Sequence, residues 1–368
     1  MKIVIAPDSF KGSASSAEIA SWLEIGIKSV IPECETLTIP IGDGGEGTLA
    51  ALLHAGFSSQ SHLVTGPSGN SVMADIAIKG EIAVVELAQA SGLSQLLDDR
   101  LLPLTATSYG TGELIKFALD GGAEQIILAV GGSACTDAGA GALQALGAKL
   151  LQGDGKEIAF GGAALINCTS IDISQLDSRI TKTRFILASD VTNPLLGPTG
   201  AATIYSPQKG ANPTEVALLE SGISHFAELV GRERATTPGA GAAGGFGFMA
   251  YTFLNAQTAS GIDTVLKLVN FHERITNTDL VITGEGKFDS QSLSGKAPLG
   301  VYQMASEQGI PVALICGQIK LNSSALNAPI FDSLHALNSF EPDINQCINN
   351  PRPIVEKIAV AIAKDLLS

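Results

Sequence analysis

The stretch from Asp279 to Lys296 constrains the fold of this chain most. Leu280, Val281 and Ile282 are consecutive apolar, mostly β-branched residues, the composition of a strand buried on both faces of a parallel sheet. Thr283 and Gly284 are expected to end that strand. Glu285, Lys287, Asp289 and Lys296 then fall on a loop rich in Gly and Ser. In open α/β sheets ligands bind outside the carboxyl ends of the strands. Two acids and two lysines at such an end suit an anionic ligand together with a divalent cation. Taken alone, such a segment is more often a solvated charged loop.

The pattern recurs, which changes its weight. Ile3–Ala6 runs into Pro7-Asp8-Ser9-Phe10-Lys11-Gly12, and Leu37–Ile41 runs into Gly42-Asp43-Gly44-Gly45-Glu46-Gly47-Thr48. Ile126–Val130 runs into Gly131-Gly132-Ser133 with Asp137 close behind, and Phe185–Ala188 runs into Ser189-Asp190-Val191-Thr192-Asn193. Five strand ends therefore deliver glycine, a hydroxyl or a carboxylate. Five such loops on one edge would build one site.

At 368 residues the chain is longer than one core usually grows, so two domains are expected. Hydrophobic residues make up 45% and charged residues 16%, enough apolar surface to order the chain. A net charge of −14 argues against a nucleic-acid partner, which needs clustered Lys and Arg. It leaves room for a small anionic ligand, because a site is local and a metal can supply positive charge. The five cysteines form no CxxC pair, so neither a disulfide framework nor a structural zinc site is expected. The N-terminus enters a strand at once, and no apolar run is long enough to span a bilayer. A cytoplasmic protein without a membrane partner is expected.

Along the chain, Ser15-x-x-Glu18 reads as a capping box. Ile19, Trp22, Leu23, Ile27 and Val30 follow on one helical face, with Trp22 expected in the core. Val72–Ile78 and Ile82–Leu87, joined at Lys79-Gly80-Glu81, read as a hairpin. The change from helical crossovers to hairpins places the entry to a second domain near residue 70, and alternating helices and strands return from Gly261. The expected architecture is α/β with two domains. One is a discontinuous Rossmann-like or flavodoxin-like parallel-sheet domain formed by residues 1–70 and 262–368. The other is an inserted α/β domain with hairpins, residues 71–261.

Among the motifs, a phosphate loop of the form GxxxxGK[ST] is absent, since Lys296 is followed by Ala297 and residue 290 is not glycine. GxGxxG occurs at Gly42–Gly47 and at Gly239–Gly244. The first follows a strand and opens a helix, as a dinucleotide fingerprint does. Its variable positions include Asp43 and Glu46, however, which would repel a pyrophosphate unless a cation intervened. Phosphoryl transfer asks for other parts: N–H groups and cations around the phosphates, carboxylates for Mg²⁺, and an oriented acceptor hydroxyl. Gly131-Gly132-Ser133 at a helix entrance offers the N–H groups, and is equally a plain tight turn. Lys11, Lys287 and Lys296 offer charge, and each alone is more often a surface lysine. Asp190, after a fully apolar strand, is the best single candidate for a general base or metal ligand. Its alternative role is to cap the Asn193-Pro194 turn.

These residues also carry a resemblance. Ala6–Lys11, Asp43–Thr48, Val64–Pro67, Thr107–Ile115, Gly131–Ala134, Asp190–Leu195, Pro207–Ala211, Pro238–Gly245 and Thr283–Gly286 follow in the order of the type-1 bacterial glycerate kinases, and the chain resembles that family over essentially its whole length. The resemblance implies ATP and Mg²⁺ as cofactors, D-glycerate as substrate, 2-phosphoglycerate as the usual product, and a site in the cleft between two α/β domains. Phosphates are then expected near Gly131, Gly132, Ser133 and the Gly284 loop, with Glu285 beside them. The metal is expected on carboxylates drawn from Asp43, Glu46, Asp190 and Glu285. Lys11 and Lys287 would grip phosphate or the glycerate carboxylate, and Asp190 would orient or deprotonate the acceptor hydroxyl. Asp8, Ser9, Asn193 and Lys296 are the further candidates for substrate contact. The family's usual Ala before DGGEGT is Gly42 here, its Thr-Asn-Asp-Gly-Gly after GGSA is Cys135-Thr136-Asp137-Ala138-Gly139, and its common Arg after GEG is Lys287, which keeps the charge but not a bidentate grip. Two rival readings are a non-catalytic sensor for a small phosphorylated acid and an NAD-dependent hydroxy-acid dehydrogenase. Self-association is left open.

Overall fold

The computed structural model describes residues 1–45, 47–96, 100–289, 292, 296–320 and 331–367. In chain order its strands are β1 (Lys2–Pro7), β2 (Glu35–Thr38), β3 (Ser58–Thr65), β4 (Ser71–Lys79), β5 (Ile82–Glu86), β6 (Gln125–Ala129), β7 (Lys149–Leu151), β8 (Ser170–Asp172), β9 (Arg184–Ala188), β10 (Gln257–Ala259), β11 (Leu280–Asp289), β12 (Val312–Lys320) and β13 (Ser333–Ala336). The chain folds into two compact units. The first takes Met1–Asp43, Ala50–Gly56 and the chain from Ile262 onward; the second takes Gly44–Leu49 and Phe57–Gly261. The strand Ser58–Thr65 falls in the second unit because it pairs antiparallel with Ser71–Lys79 along its whole length.

The first unit is a five-stranded sheet in the order β13-β12-β11-β1-β2, with every pair parallel. β1 and the first half of β11 are apolar on both faces, so neither face can be left to water. Ile3, Ile5 and Ile282 pack with Ile19, Leu23 and Ile27 of the helix Ser16–Val30 and with Val355, Ile358 and Ile362 of the helix Arg352–Asp365. These two helices approach closely at Gly26, where a Cβ would lie 2.5 Å from the Ala359 Cβ. The capping box forms, with Glu18 N–H donating to Ser15 Oγ at 3.3 Å and Ser15 N–H donating to Glu18 Oε2 at 2.9 Å. Trp22 lies at the rim of this core, partly buried, and not in its centre.

The second unit holds a six-stranded sheet in the order β10-β9-β6-β5-β4-β3 and a small β7-β8 ribbon. β3, β4 and β5 form an antiparallel meander, and β5, β6, β9 and β10 run parallel. Its core joins Val85, Leu128 and Leu187 of the sheet to Leu114 of the helix Tyr109–Asp120, to Phe226 of the helix Pro213–Val230, and to Phe246 and Phe248 of the segment Ala242–Phe253.

Two expectations are corrected here. β11 does not stop at Gly284: it continues to Asp289, paired with β12 as far as Asp289 opposite Lys320. β1 leaves the pairing at Pro7, opposite Gly284, and β12 alone carries β11 onward as a two-stranded arm. Glu285, Lys287 and Asp289 are therefore strand residues sharing one face by the two-residue period, not loop residues. Nor do the five strand ends share one edge. Those of β1, β2 and β11 leave the first sheet, while those of β6 and β9 leave the second.

Candidate active site

In the first sheet the connection after β1 runs through the helix Ser16–Val30 to β2 on one side. The connection after β11 runs through the helix Ala297–Ser306 to β12 on the other. The crevice where such connections part is the usual ligand position of an open parallel sheet. It opens here where β1 ends beside β11, at Asp8 just past the last residue of β1 and Glu285 within β11. The chain after β2 keeps following β1, with Ile39 N–H donating to Ile5 O at 2.8 Å and Ile41 N–H donating to Pro7 O at 3.0 Å. That brings Asp43 to the same end.

The acids are held in unfavourable surroundings for charge. Asp8 is buried, and its neighbour Ser9 donates its N–H to Asp8 Oδ1 at 2.7 Å. Burial first, and then the Asp43 carboxylate, push the Asp8 carboxyl up to about 7, against the pull of Lys11. Glu285 is also buried, and its Oε1 has no hydrogen-bond partner among the described residues. Burial pushes its carboxyl up to about 7, although a hydrogen bond with Ser292 and the charge of Lys296 act in the opposite direction.

Cations surround the acids. Lys11 Nζ lies 3.4 Å from Asp43 Oδ2, and Lys287 Nζ lies 2.7 Å from Asp289 Oδ2. Lys296 stands at the N-cap of the helix Ala297–Ser306. A cavity of about 290 Å³ is lined on its polar side by Asp8, Ser9, Lys11, Asp43, Glu285, Lys287 and Lys296, all from the first unit. Phe10, Ile344, Cys347 and Ile348, with Gln318 and Asn338, also line it and are not marked out by the sequence. The available signal was Gly317-Gln318, a glycine and an amide directly after the apolar run Val312–Cys316 and inside β12.

The remaining sequence candidates lie in the second unit or outside the described residues. Gly131, Gly132 and Ser133 form the turn after β6. Among the described residues none of their three N–H groups donates a backbone hydrogen bond, and Gly132 has φ of +75°. Successive N–H groups around a left-handed residue form an anion-binding concavity. Asp190 follows β9, is exposed, and accepts from Gly261 N–H at 3.0 Å. Asn193 is engaged at both ends of its amide within its own unit, donating to Thr199 O at 2.8 Å and accepting from Tyr205 Oη–H at 2.6 Å. Glu46 lies outside the described residues.

Three buried polar residues of this unit, Glu86, Asp137 and Lys209, act as supports. Glu86 is fully buried and accepts from Leu49 N–H at 2.8 Å and Gly47 N–H at 3.3 Å, anchoring the turn that starts the helix Thr48–His54. Asp137 is fully buried and accepts from Ser108 N–H and Ser108 Oγ–H, both at 2.8 Å, from Gly139 N–H at 3.1 Å and from Gly141 N–H at 3.3 Å. Lys209 is buried and donates to Ser133 Oγ at 2.8 Å. No helix among the described residues is long and apolar enough to cross a membrane.

The family model described as "Glycerate kinase family" matches residues 3–367. A glycerate kinase of Bacillus subtilis (strain 168) is 43% identical over all of this chain and 98% of its own length. A glycerate 2-kinase of Escherichia coli (strain K12) is 46% identical over 87% of this chain and 86% of its own. A crystal structure assigned to glycerate kinase 2 of Salmonella typhimurium LT2 superimposes with a TM-score of 0.83 at 40% identity, covering both chains completely. A parallel-sheet site rich in acids and lysines, and similarity of this extent, lead to one conclusion: the chain is an enzyme of the glycerate kinase family.

Proposed function

We propose that the protein transfers the terminal phosphoryl group of ATP to D-glycerate, assisted by Mg²⁺, giving 2-phosphoglycerate. The observation that carries the reading is the pair of buried acids, Asp8 and Glu285, at the parting of the connections in the first sheet, with Lys11, Lys287 and Lys296 lining the same cavity. Phosphoryl transfer needs positioned cations and little covalent work from the protein.

The residues fit Mg²⁺. No three His, Cys, Asp or Glu side chains converge as a metal group among the described residues. Mg²⁺ does not ask for that, since it keeps several waters and uses one or two carboxylates. Among the described residues Glu285 Oε1 is buried without a hydrogen-bond partner, and the Asp43 carboxylate adds to the cost of ionising both Asp8 and Glu285, which a bound cation would relieve. Asp43 and Glu285 are the candidate ligands in the first unit, Asp190 in the second. When bound, the ion would neutralise charge on the transferring phosphoryl group.

The chain's own groups supply the rest. Lys11 and Lys287 hold phosphate or the glycerate carboxylate as point charges, and Lys296, Ser9 and Asp8 line the same space. In the second unit the N–H groups of Gly131, Gly132 and Ser133 receive phosphate oxygens, and Asp190 orients or accepts the proton of the acceptor hydroxyl. Five buried, unpaired cysteines suit the reducing cytosol proposed as its compartment.

The test is an ADP-release assay with ATP, Mg²⁺ and D-glycerate, followed by phosphorus NMR of the product. Glycerate-dependent turnover with a 2-phosphate signal is expected. A 3-phosphate signal would correct the position, and folded protein with no turnover would overturn the reading.

A further inference from the structure

Lys209 is the one charged residue among the largest fully enclosed side chains, only 2% exposed. It closes the short helical turn Pro207–Lys209. Burying an ammonium is costly unless it is well paired. Yet the two acceptors its Nζ reaches are neutral: Ser133 Oγ at 2.8 Å and the Cys135 carbonyl at 2.5 Å. The acid whose field reaches it, Asp137, is already engaged by four donors from Ser108, Gly139 and Gly141. A long cation spent on a hydroxyl and a carbonyl is a poor choice for stability alone.

Both groups that it holds belong to one feature, the chain leaving β6. Leu93 N–H donates to Gly132 O at 3.0 Å and Ala134 N–H donates to Ser91 O at 2.9 Å, so the turn is fixed from one side by the segment 91–93. Lys209 fixes it again through Ser133 and Cys135. All these bonds fall on the Gly132 carbonyl and the Ser133 side chain of the turn or on the two residues after it, Ala134 and Cys135. Among the described residues none of the N–H groups of Gly131, Gly132 and Ser133 has an acceptor, and the three are left over as a set. A positive charge behind such a set also raises its attraction for an anion.

We propose that Lys209 is a positioning residue that holds the Gly131–Ser133 turn so that its consecutive N–H groups face the phosphates of the nucleotide, an inference resting on the phosphate role proposed above for that turn. Lys209 touches neither substrate; it acts through Ser133 and the chain at Cys135.

The experiment compares wild type with Lys209→Met, which keeps the unbranched aliphatic stem of the side chain and removes its donors and charge. Mg-ATP binding is titrated calorimetrically without glycerate, and both KM values are measured with thermal unfolding in parallel. A folded variant with at least tenfold weaker ATP binding and a glycerate KM within twofold of wild type is expected. A merely structural role predicts a lower Tm and a smaller active fraction with both KM values unchanged, and that result overturns the proposal. If Lys209→Met does not fold, Ser133→Ala decides: it keeps the lysine and removes one acceptor, and an unchanged ATP affinity overturns the proposal. Wild-type protein that binds ATP but does not phosphorylate glycerate would sink the acceptor assignment and leave this inference standing. Wild-type protein that binds no ATP sinks both.

Discussion

The amide of Asp8, one step beyond the end of β1, donates to the carbonyl of Gly284, the last residue of β11 paired with β1, at 2.8 Å. This bond ties the two strand ends together and makes the carboxyls of Asp8 and Glu285 leave neighbouring strands, both buried and both pushed up to about 7. In the unfolded chain such groups lose their protons near pH 4. Between about pH 4 and 7 the folded, metal-free protein therefore binds more protons than the unfolded chain, and its stability falls as pH rises. The contribution is fully present below pH 4 and lost once pH has passed 7. Urea unfolding in EDTA should show a lower midpoint at pH 8 than at pH 5.5, with Mg²⁺ restoring more stability at pH 8. Glu285→Gln should flatten the pH dependence. An equal midpoint at both pH values in wild type would show that these acids ionise freely.

Asp190 separates charge from geometry. Its Oδ1 accepts from Gly261 N–H at 3.0 Å, a bond that an amide oxygen can also accept. Asp190→Asn should therefore fold with a Tm within a few degrees of wild type. If the carboxylate is the base or a metal ligand, kcat should drop about 10²- to 10⁴-fold. Near-normal kcat in the folded variant would leave Asp190 as the anchor of Gly261 and nothing more.

How much of this was legible in the sequence depends on which neighbour decides each element. β1, β6 and β9 announce themselves because strands buried on both faces must be apolar throughout. β3 does not: SSQSHLVT is polar and largely exposed, and its pairing with β4 alone makes it a strand. The second half of β11 was misread for a similar reason, since GEGKFD has poor strand propensity and is extended by its ladder with β12. In the site, acids at strand ends could be seen one at a time. That Asp8 and Glu285 stand side by side follows from strand order, which no local pattern encodes. Lys209 was visible only as part of a motif, and its burial depends on contacts 74 and 76 residues away.

Asp137 stands four residues beyond the Gly131–Ser133 turn, and the structure gives it a supporting part. Its two oxygens accept four hydrogen bonds that gather Ser108, Gly139 and Gly141. Asp137→Asn would turn an amide NH₂ toward donors and strand at least one of them. A loss of about 3 kcal/mol is expected from removing a buried, fully hydrogen-bonded charge. Denaturant unfolding measures it. A loss under about 1 kcal/mol would mean that the network rearranges.

Gly132 separates the shape of the phosphate turn from its chemistry. At φ of +75° it is the left-handed residue that turns the neighbouring N–H groups toward a common point. Alanine there adds no charge and removes no donor, but it disfavours the left-handed conformation by roughly 1–2 kcal/mol. Two responses are open to Gly132→Ala. If the turn is held in place by Leu93, Ala134 and Lys209, the strain appears as lost stability, and ATP affinity stays within about threefold of wild type. If the turn relaxes, stability is kept and ATP affinity falls by tenfold or more. The three separate attachments of this short segment favour the first response. Denaturant unfolding and ATP titration of the same preparation distinguish the two, and kept stability with lost affinity would show that the turn is not rigidly held.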